Sequence, residues 1–131
     1  MAEPLPCHDL HCELAPMIKL KRIYDPFSPE DGKRILVDRL WPRGIKKKDT
    51  HIDEWLKDIA PSDALRKWFS HDPSRWEEFK RRYTNELKDK KELLKELLAD
   101  SKKSTVTLVF GAKDIERNNA VVIEEVLAKK S

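Results

Sequence analysis

Hydrophobic and polar positions divide the chain into segments with strand-like and helix-like spacing. Apolar residues alternate in 18–24, run almost without interruption through 34–40, and are β-branched and uncharged in 105–110, so each of these segments predicts a strand. The continuous run in 34–40 is typical of a strand buried on both faces of a parallel sheet. The short connection before it, where 28–32 predicts a single helical turn, also permits antiparallel pairing, so strand direction is left open.

Helical spacing dominates the middle and the end of the chain. Capping residues precede four segments whose apolar positions recur at intervals of three and four. The caps and apolar faces are Thr50 with Ile52, Trp55, Leu56 and Ile59; Ser62 with Leu65, Trp68 and Phe69; Asp72-Pro73 with Trp76, Phe79, Tyr83 and Leu87; and Asn118 with Val122, Ile123, Val126 and Leu127. Residues 88–100 either continue the third helix or form another. Together these segments predict a small α/β fold, with a three-stranded sheet, parallel or mixed, covered by about five helices.

The charge of the chain is unevenly distributed. Its 131 residues hold 27 Lys and Arg against 24 Asp and Glu, a formal net charge of +3. Residues 1–16 contain three of these acids and no basic residue, so residues 17–131 carry a net charge of +6. The first segment lacks both the basic, apolar pattern of a secretory signal and the arginines of a transit peptide. We therefore expect 1–16 to be a disordered leader or an extension added in cloning, and 17–131 to be a single α/β domain.

Both cysteines lie in this leader, where Cys7, His8, His11 and Cys12 fall within six residues. Thiols and imidazoles are the ligands that Zn²⁺ and Cu(I) prefer, but structural zinc sites usually join two separated ligand pairs. Incidental affinity of a disordered tail is therefore the favoured interpretation, and neither a metal nor a cofactor is assigned. A domain without cysteine is not a disulfide scaffold, which fits a cytoplasmic protein. No apolar run approaches the ~18 residues of a membrane span, so no membrane partner is expected.

Polar residues cluster after the second and the last predicted strands. In an open α/β sheet, ligands bind beyond the carboxyl ends of the strands. If the strands are parallel, the two segments meet there, and guanidinium, ammonium and free helix amide groups suit a phosphate or carboxylate. The expected ligand-binding residues are Arg39, Trp41, Arg43, Lys113, Asp114, Asn118 and Asn119. Gly44 and Gly111 would allow a close approach to the backbone. A structural charge network, with Asn118 only a helix cap, is the alternative interpretation.

His71 is the candidate catalytic residue, because imidazole is the side chain best suited to general base catalysis near neutral pH. It lies at a predicted helix junction, where such a ring often binds a carbonyl or a carboxylate instead. The structural role is favoured on this ground. The chain contains neither G-x-S-x-G, nor a P-loop, nor G-x-G-x-x-G, so the question of enzymatic activity is left open.

Several motifs in order along the chain resemble the YeaO-like family of uncharacterised bacterial and archaeal proteins. They are VDRLWPRG (37–44), EWLKDIAPS (54–62), LRKWFSHDPSRWEEF (65–79), VTLVFGAKD (106–114) and NNAVV (118–122). The resemblance begins near Met17 and extends almost to the C-terminus, so the leader departs from the family pattern. Because this is a domain-of-unknown-function family, the resemblance implies a fold and motif boundaries but no mechanism.

These observations leave two main functional hypotheses. The first is binding of a small anionic ligand, bearing a phosphate or carboxylate, at the carboxyl ends of the strands, with or without catalysis. The second is a nucleic-acid-binding or regulatory module that uses the basic runs at 46–48, 81–82 and 102–103. Lysine runs on folded domains are more often solvated faces, so the first hypothesis is preferred. The sequence does not indicate an oligomeric state.

Overall fold

The computed structural model describes residues 17–130, so the Cys7, His8, His11 and Cys12 candidates lie outside the described residues. One sheet in the described part contains β1 (Ile18–Arg22), β2 (Lys33–Leu36), β3 (Glu54–Trp55) and β4 (Val106–Phe110), in the order β1-β4-β2-β3. Every pairing is parallel. The predicted α/β class is therefore confirmed, and the open question of strand direction is answered by β4, which lies between β1 and β2.

Four α-helices follow β3 in the described part of the chain, three of them before β4 and one after it. They are α1 (Asp63–Phe69), α2 (Trp76–Leu87), α3 (Lys91–Lys103) and α4 (Asn119–Lys130). The capping predictions for α1 and α4 are confirmed, because Ser62 accepts from the Leu65 amide and Asn118 from the Val121 amide. Asp72 caps the 3-10 turn Pro73–Arg75, which leads into α2, rather than α2 itself. Residues 88–100 form a separate helix, because the 3-10 turn Lys88–Lys90 divides α2 from α3.

The expected counts of three strands and about five helices are wrong, because the segment 52–59 is not a helix. It contains β3 and a 3-10 turn, Lys57–Ile59, instead. The supposed helical face divides between two layers: Ile52 and Trp55 pack with Leu36 on one side of the sheet, whereas Leu56 and Ile59 join the main core on the other. A helix could present these residues to one layer only, so an extended segment replaces it.

The sheet separates a large apolar layer from a smaller, mixed one. Ile35, Val37, Leu108 and Phe110 face the helices and belong to the main core. The other face carries Leu36 and Val109 under the loop that contains Trp41 and Trp55. This alternation follows from the side-chain period of two along each strand. The second layer also buries a charge pair, in which Arg34 Nη1 lies 2.5 Å from Asp31 Oδ2.

The register of the parallel strands β2 and β4 brings their carboxyl ends together. Leu36 pairs with Val109, and the Val37 amide donates to the Val109 carbonyl at 3.0 Å. Asp38 and Gly111 therefore leave the sheet side by side, as the sequence motifs predicted for parallel strands. The α4 helix starts on the same edge, since the Asn119 side-chain amide donates to the Val37 carbonyl at 2.7 Å.

Candidate functional site

A cavity of about 250 Å³ opens at the carboxyl edge of the sheet. Its lining comes from five parts of the described chain: Tyr24 after β1; 38–42 after β2; Pro61, Arg66, Phe69 and His71 around α1; Phe79 in α2; and Gly111, Ala112, Asn118 and Asn119 between β4 and α4. This is the position at which open α/β sheets bind ligands, since loops from neighbouring strands diverge there.

Asp38 places a partly buried carboxylate in this cavity. Its Oδ2 atom accepts the Gly111 amide at 2.8 Å, and its carbonyl oxygen accepts from Trp55 Nε1 at 2.7 Å. Burial raises the pKa of Asp38, against the Gly111 amide, the Asn119 side chain and the nearby His71, which favour the charged form. The side chain is thus held in place by neutral N–H groups from the residue that follows β4 and from α4.

Arg39 points away from Asp38, towards the segment before α1. Its Nε donates to the Pro61 carbonyl at 3.0 Å and its Nη2 to the Ala60 carbonyl at 3.3 Å. Two neutral carbonyls hold the guanidinium plane without neutralising its charge. Asp38 and Arg39 therefore have separate partners, although they are adjacent in the chain.

Arg66 brings a second guanidinium group to the same side of the cavity. Asp63 Oδ1 lies 3.3 Å from Arg66 Nη2 and 3.9 Å from Arg39 Nε, so one carboxylate stands against two cations. That carboxylate is 62% exposed, and solvent weakens its attraction for either partner. This side of the cavity consequently has an excess of positive charge.

Aromatic rings form much of the remaining lining. Phe69 and Phe79 are buried and stacked, with ring centroids 4.2 Å apart, and both face the cavity. Trp41 lines it from the loop after β2, where its indole N–H donates to the Ile45 carbonyl at 2.7 Å and its ring meets Trp55 edge-on. The cavity therefore combines an apolar, flat interior with charged groups of both signs.

Four of the seven expected ligand-binding residues line this cavity: Arg39, Trp41, Asn118 and Asn119. The structure does not bring Arg43, Lys113 and Asp114 into the lining. Arg43 and Lys113 are exposed, and the Arg43 carbonyl accepts from the Tyr24 hydroxyl at 3.4 Å.

Asp114 accepts from the amides of Glu116 and Arg117, at 2.9 and 3.0 Å, and these bonds lower its pKa despite partial desolvation. Asp114 thus orders the loop that precedes α4.

His71, the candidate catalytic residue, lies on the cavity rim. It is exposed and has a φ of 56°, after Ser70 with a φ of 45°, so two consecutive residues adopt left-handed backbone. Its ring lies 5.9 Å from that of Phe69, in a tilted arrangement. The turn between α1 and α2 therefore directs an imidazole to the region of Asp38, whose charged form it favours.

Sequence reasoning missed Arg66, Phe69, Phe79, Pro61 and Tyr24 as parts of the site, and did not include Asp38 among the expected ligand-binding residues. Phe69 and Phe79 fit a core face equally well, so their apolar spacing carried no signal of a cavity. Arg66 had one usable signal, because it lies one turn before Phe69 on α1 and three residues place both on one helix face.

The basic runs are not equally available at the surface. Arg81 and Arg82 both donate to Glu78, at 2.5 and 2.7 Å, and these bonds hold the pKa of Glu78 at about 2. Lys46, Lys47 and Lys48 are exposed.

Among residues 17–130, no cluster of three or more His, Cys, Asp or Glu side chains could hold a metal ion. No helix within that range is long and apolar enough to cross a bilayer.

Comparisons with known proteins give a family and no structure. The profile described as the inactive DUF488-N3 subclade, DUF488-N3i, matches residues 17–131. The uncharacterized protein YeaO of Escherichia coli K12 is 46% identical over 108 residues, which cover 82% of this chain and 94% of YeaO. Uncharacterized proteins of Mycobacterium bovis and Mycobacterium tuberculosis are each 42% identical over 110 residues, covering 84% of this chain and 92% of theirs. No solved structure matches the chain.

Proposed function

Because the chain belongs to the DUF488-N3i family, the inactive DUF488-N3 subclade, we propose that it binds a small organic anion at the carboxyl edge of the sheet without converting it. The observation that carries this proposal is the pair of guanidinium groups, Arg39 and Arg66, that share one exposed carboxylate beside the cavity. The resemblance to the YeaO-like family, confirmed by the identity to YeaO, adds no ligand of its own.

The cationic side of the cavity has donors to spare. Each guanidinium carries five N–H donors in a planar fork. The described bonds of Arg39 use its Nε and one Nη2 hydrogen, so its Nη1 group stays available to a carboxylate or phosphate. The carbonyls of Ala60 and Pro61 keep this fork oriented before a ligand arrives, which lowers the entropy lost on binding.

Binding without turnover agrees with the side chains at hand. The lining within the described residues contains no serine, threonine, cysteine or lysine, and its one carboxylate, that of Asp38, already accepts the Gly111 amide. The description of the subclade as inactive supports the same conclusion. His71, exposed on the rim, then serves as a ligand contact beside Asp38 rather than as a general base.

The size of the cavity limits the ligand. At about 250 Å³ it lies below the roughly 300–1,000 Å³ of sites for drug-sized molecules. One or two rings with an acidic group fill it, whereas a nucleic acid strand does not. Arg43 and Lys113, which are exposed and lie outside the lining, add a favourable field around the cavity without touching such a ligand.

Thermal shift followed by calorimetry tests the proposal. A panel of aliphatic and aromatic carboxylates and phosphate monoesters of up to two rings is screened against the full chain. A ligand at 100 times its Kd stabilises the folded state by about 2.7 kcal/mol, which raises the melting temperature measurably. Arg66→Gln should weaken the binding of each acid that the screen identifies by about tenfold. This corresponds to the loss of one charge-assisted contact of about 1.4 kcal/mol.

Arg81→Gln is the matched control, because Arg81 carries the same charge on an exposed face of α2 outside the lining. It should leave all affinities unchanged. If no acid in the panel binds, or if Arg81→Gln reduces the affinity as much as Arg66→Gln, the proposal is wrong.

A further inference from the structure

The two charged neighbours Asp38 and Arg39 give the cavity a polarity that an anion alone does not match. Arg39 is tied to the segment before α1, and Asp38 to the β4–α4 side through Gly111. One side of the cavity thus holds two guanidinium groups and another holds a carboxylate. A simple anion satisfies the first side and is repelled by the second.

Asp38 has unused capacity as an acceptor. An ionised carboxylate offers about four lone-pair positions, and the Gly111 amide occupies one of them on Oδ2. The Asn119 side chain is a second neutral donor. A partly buried carboxylate with so few donors gains most from a ligand that supplies another N–H, since an acceptor left without a partner retains its cost of desolvation.

The surfaces between the charged groups select the shape of the ligand. The stacked rings of Phe69 and Phe79 and the indole of Trp41 line the cavity. Aromatic faces of this kind stack on flat rings with offset or edge-on geometry. A flexible aliphatic chain fills the same space with fewer contacts and a larger loss of rotational freedom.

From these three observations we infer that the ligand is a flat heteroaromatic acid, whose anionic group faces Arg39 and Arg66 and whose ring N–H donates to Asp38. The inference rests on the proposed function of the same cavity and specifies the class of ligand. It assigns Asp38 the role of the residue that selects between an N–H edge and an acceptor edge.

Two nearly isosteric acids separate this inference from the proposed function. Indole-5-carboxylate carries a ring N–H away from its acid group, whereas benzofuran-5-carboxylate has an acceptor oxygen in its place. The wild-type chain should bind the indole about tenfold more tightly, which is the effect of one hydrogen bond to a charged acceptor. Asp38→Asn should bring the ratio of the two affinities close to one, with the benzofuran affinity unchanged or higher.

A second variant tests the position of the carboxylate rather than its charge. A Cβ at Gly111 would lie 3.1 Å from Asp38 Oδ2 and 3.6 Å from Pro42 Cγ, so Gly111→Ala displaces the carboxylate by a few tenths of an ångström. It should lower the preference for the indole severalfold. Arg66→Gln weakens both acids equally and leaves the ratio unchanged.

The outcomes are distinct. If the wild-type chain binds both acids equally, binds only acids without an N–H, or keeps its preference in both Asp38→Asn and Gly111→Ala, the inference is wrong and the proposed function stands. If it binds no acid at all, both are wrong. The benzofuran affinity, expected to be unchanged or higher in Asp38→Asn, identifies a general loss of folding, which would lower both affinities together.

Discussion

Gly32 determines how closely β2 can begin against β4. It connects the 3-10 turn Pro29–Asp31 to β2 with φ 65° and ψ −134°. A Cβ added there would lie 2.2 Å from the Thr105 carbonyl oxygen and 2.9 Å from the Thr105 carbonyl carbon. Both distances are shorter than 3.0 Å, and Cβ atoms essentially never come so close to another heavy atom. The same oxygen accepts the Lys33 amide at 3.0 Å, the first bond of the register that ends beside Asp38.

The magnitude for Gly32→Ala follows from two costs. The backbone conformation is nearly exclusive to glycine and costs another residue about 1–3 kcal/mol. Relief of the clash requires a backbone movement of roughly 1 Å, which breaks the Lys33 hydrogen bond and costs about 0.5–1.5 kcal/mol more. The variant should lose about 2–4 kcal/mol of unfolding free energy, a large part of the ~5–15 kcal/mol of a small domain.

Gly44→Ala is the matched control, because Gly44 also has a positive φ, 76°, but its Cβ would meet no heavy atom of residues 17–130 within 4 Å. Only the conformational strain remains, and a gain of about 0.4–1 kcal/mol from the restricted unfolded chain offsets part of it. Urea titration followed by the fluorescence of the four tryptophans measures both variants. With a slope of about 1–3 kcal/mol per molar urea, the midpoint of Gly32→Ala should fall roughly 1 M below that of Gly44→Ala. Midpoints that agree within error would refute the reasoning.

Three further substitutions test buried polar groups by the same titration. Tyr83→Phe removes the hydroxyl that donates to the Ile59 carbonyl at 2.5 Å inside the core, and should cost about 1–3 kcal/mol; an unchanged midpoint would show that the carbonyl finds another donor. Asp31→Asn leaves the buried Arg34 without its counter-charge and should cost about 3–5 kcal/mol, so a loss below 1 kcal/mol would contradict that pairing. Burial raises the folded pKa of Asp38, which therefore favours folding below its unfolded value of about 3.9 and loses that contribution as pH rises through the folded value. Asp38→Asn should gain stability relative to wild type as pH increases from 3 to 7, and a gap independent of pH would contradict the shift.

The parts of the fold that the sequence predicts are those whose stability is local or depends on one buried face. Two helix starts carry their own signal, because the adjacent side chains of Ser62 and Asn118 bond to the first helix amides. The apolar run of β4 is its own signal as well, because the whole strand is buried. The segment 52–59 has no such independence. Its two-residue strand exists because β2 offers an open edge, and the Leu56 amide donates to the Leu36 carbonyl at 2.8 Å. Helical spacing within this segment is therefore overridden by a contact 20 residues away in the chain.

The same distinction explains which site residues the motifs indicated. Arg39, Asn118 and Asn119 belong to the segments that connect β2 and β4 to the next elements, so the parallel pairing of two strands is enough to place them together. Arg66 reaches the cavity because β3, parallel to β2, brings the chain to the carboxyl edge before α1 begins. The helical spacing of 52–59 concealed this pairing, so the sequence did not indicate Arg66. Arg43 lies outside the lining because the chain turns at Gly44, whose positive φ no pattern of apolar residues encodes. The net charge at the site thus depends on where tertiary contacts hold the cations, chiefly the bonds of Arg39 to the Ala60 and Pro61 carbonyls, rather than on the number of cations near each strand end.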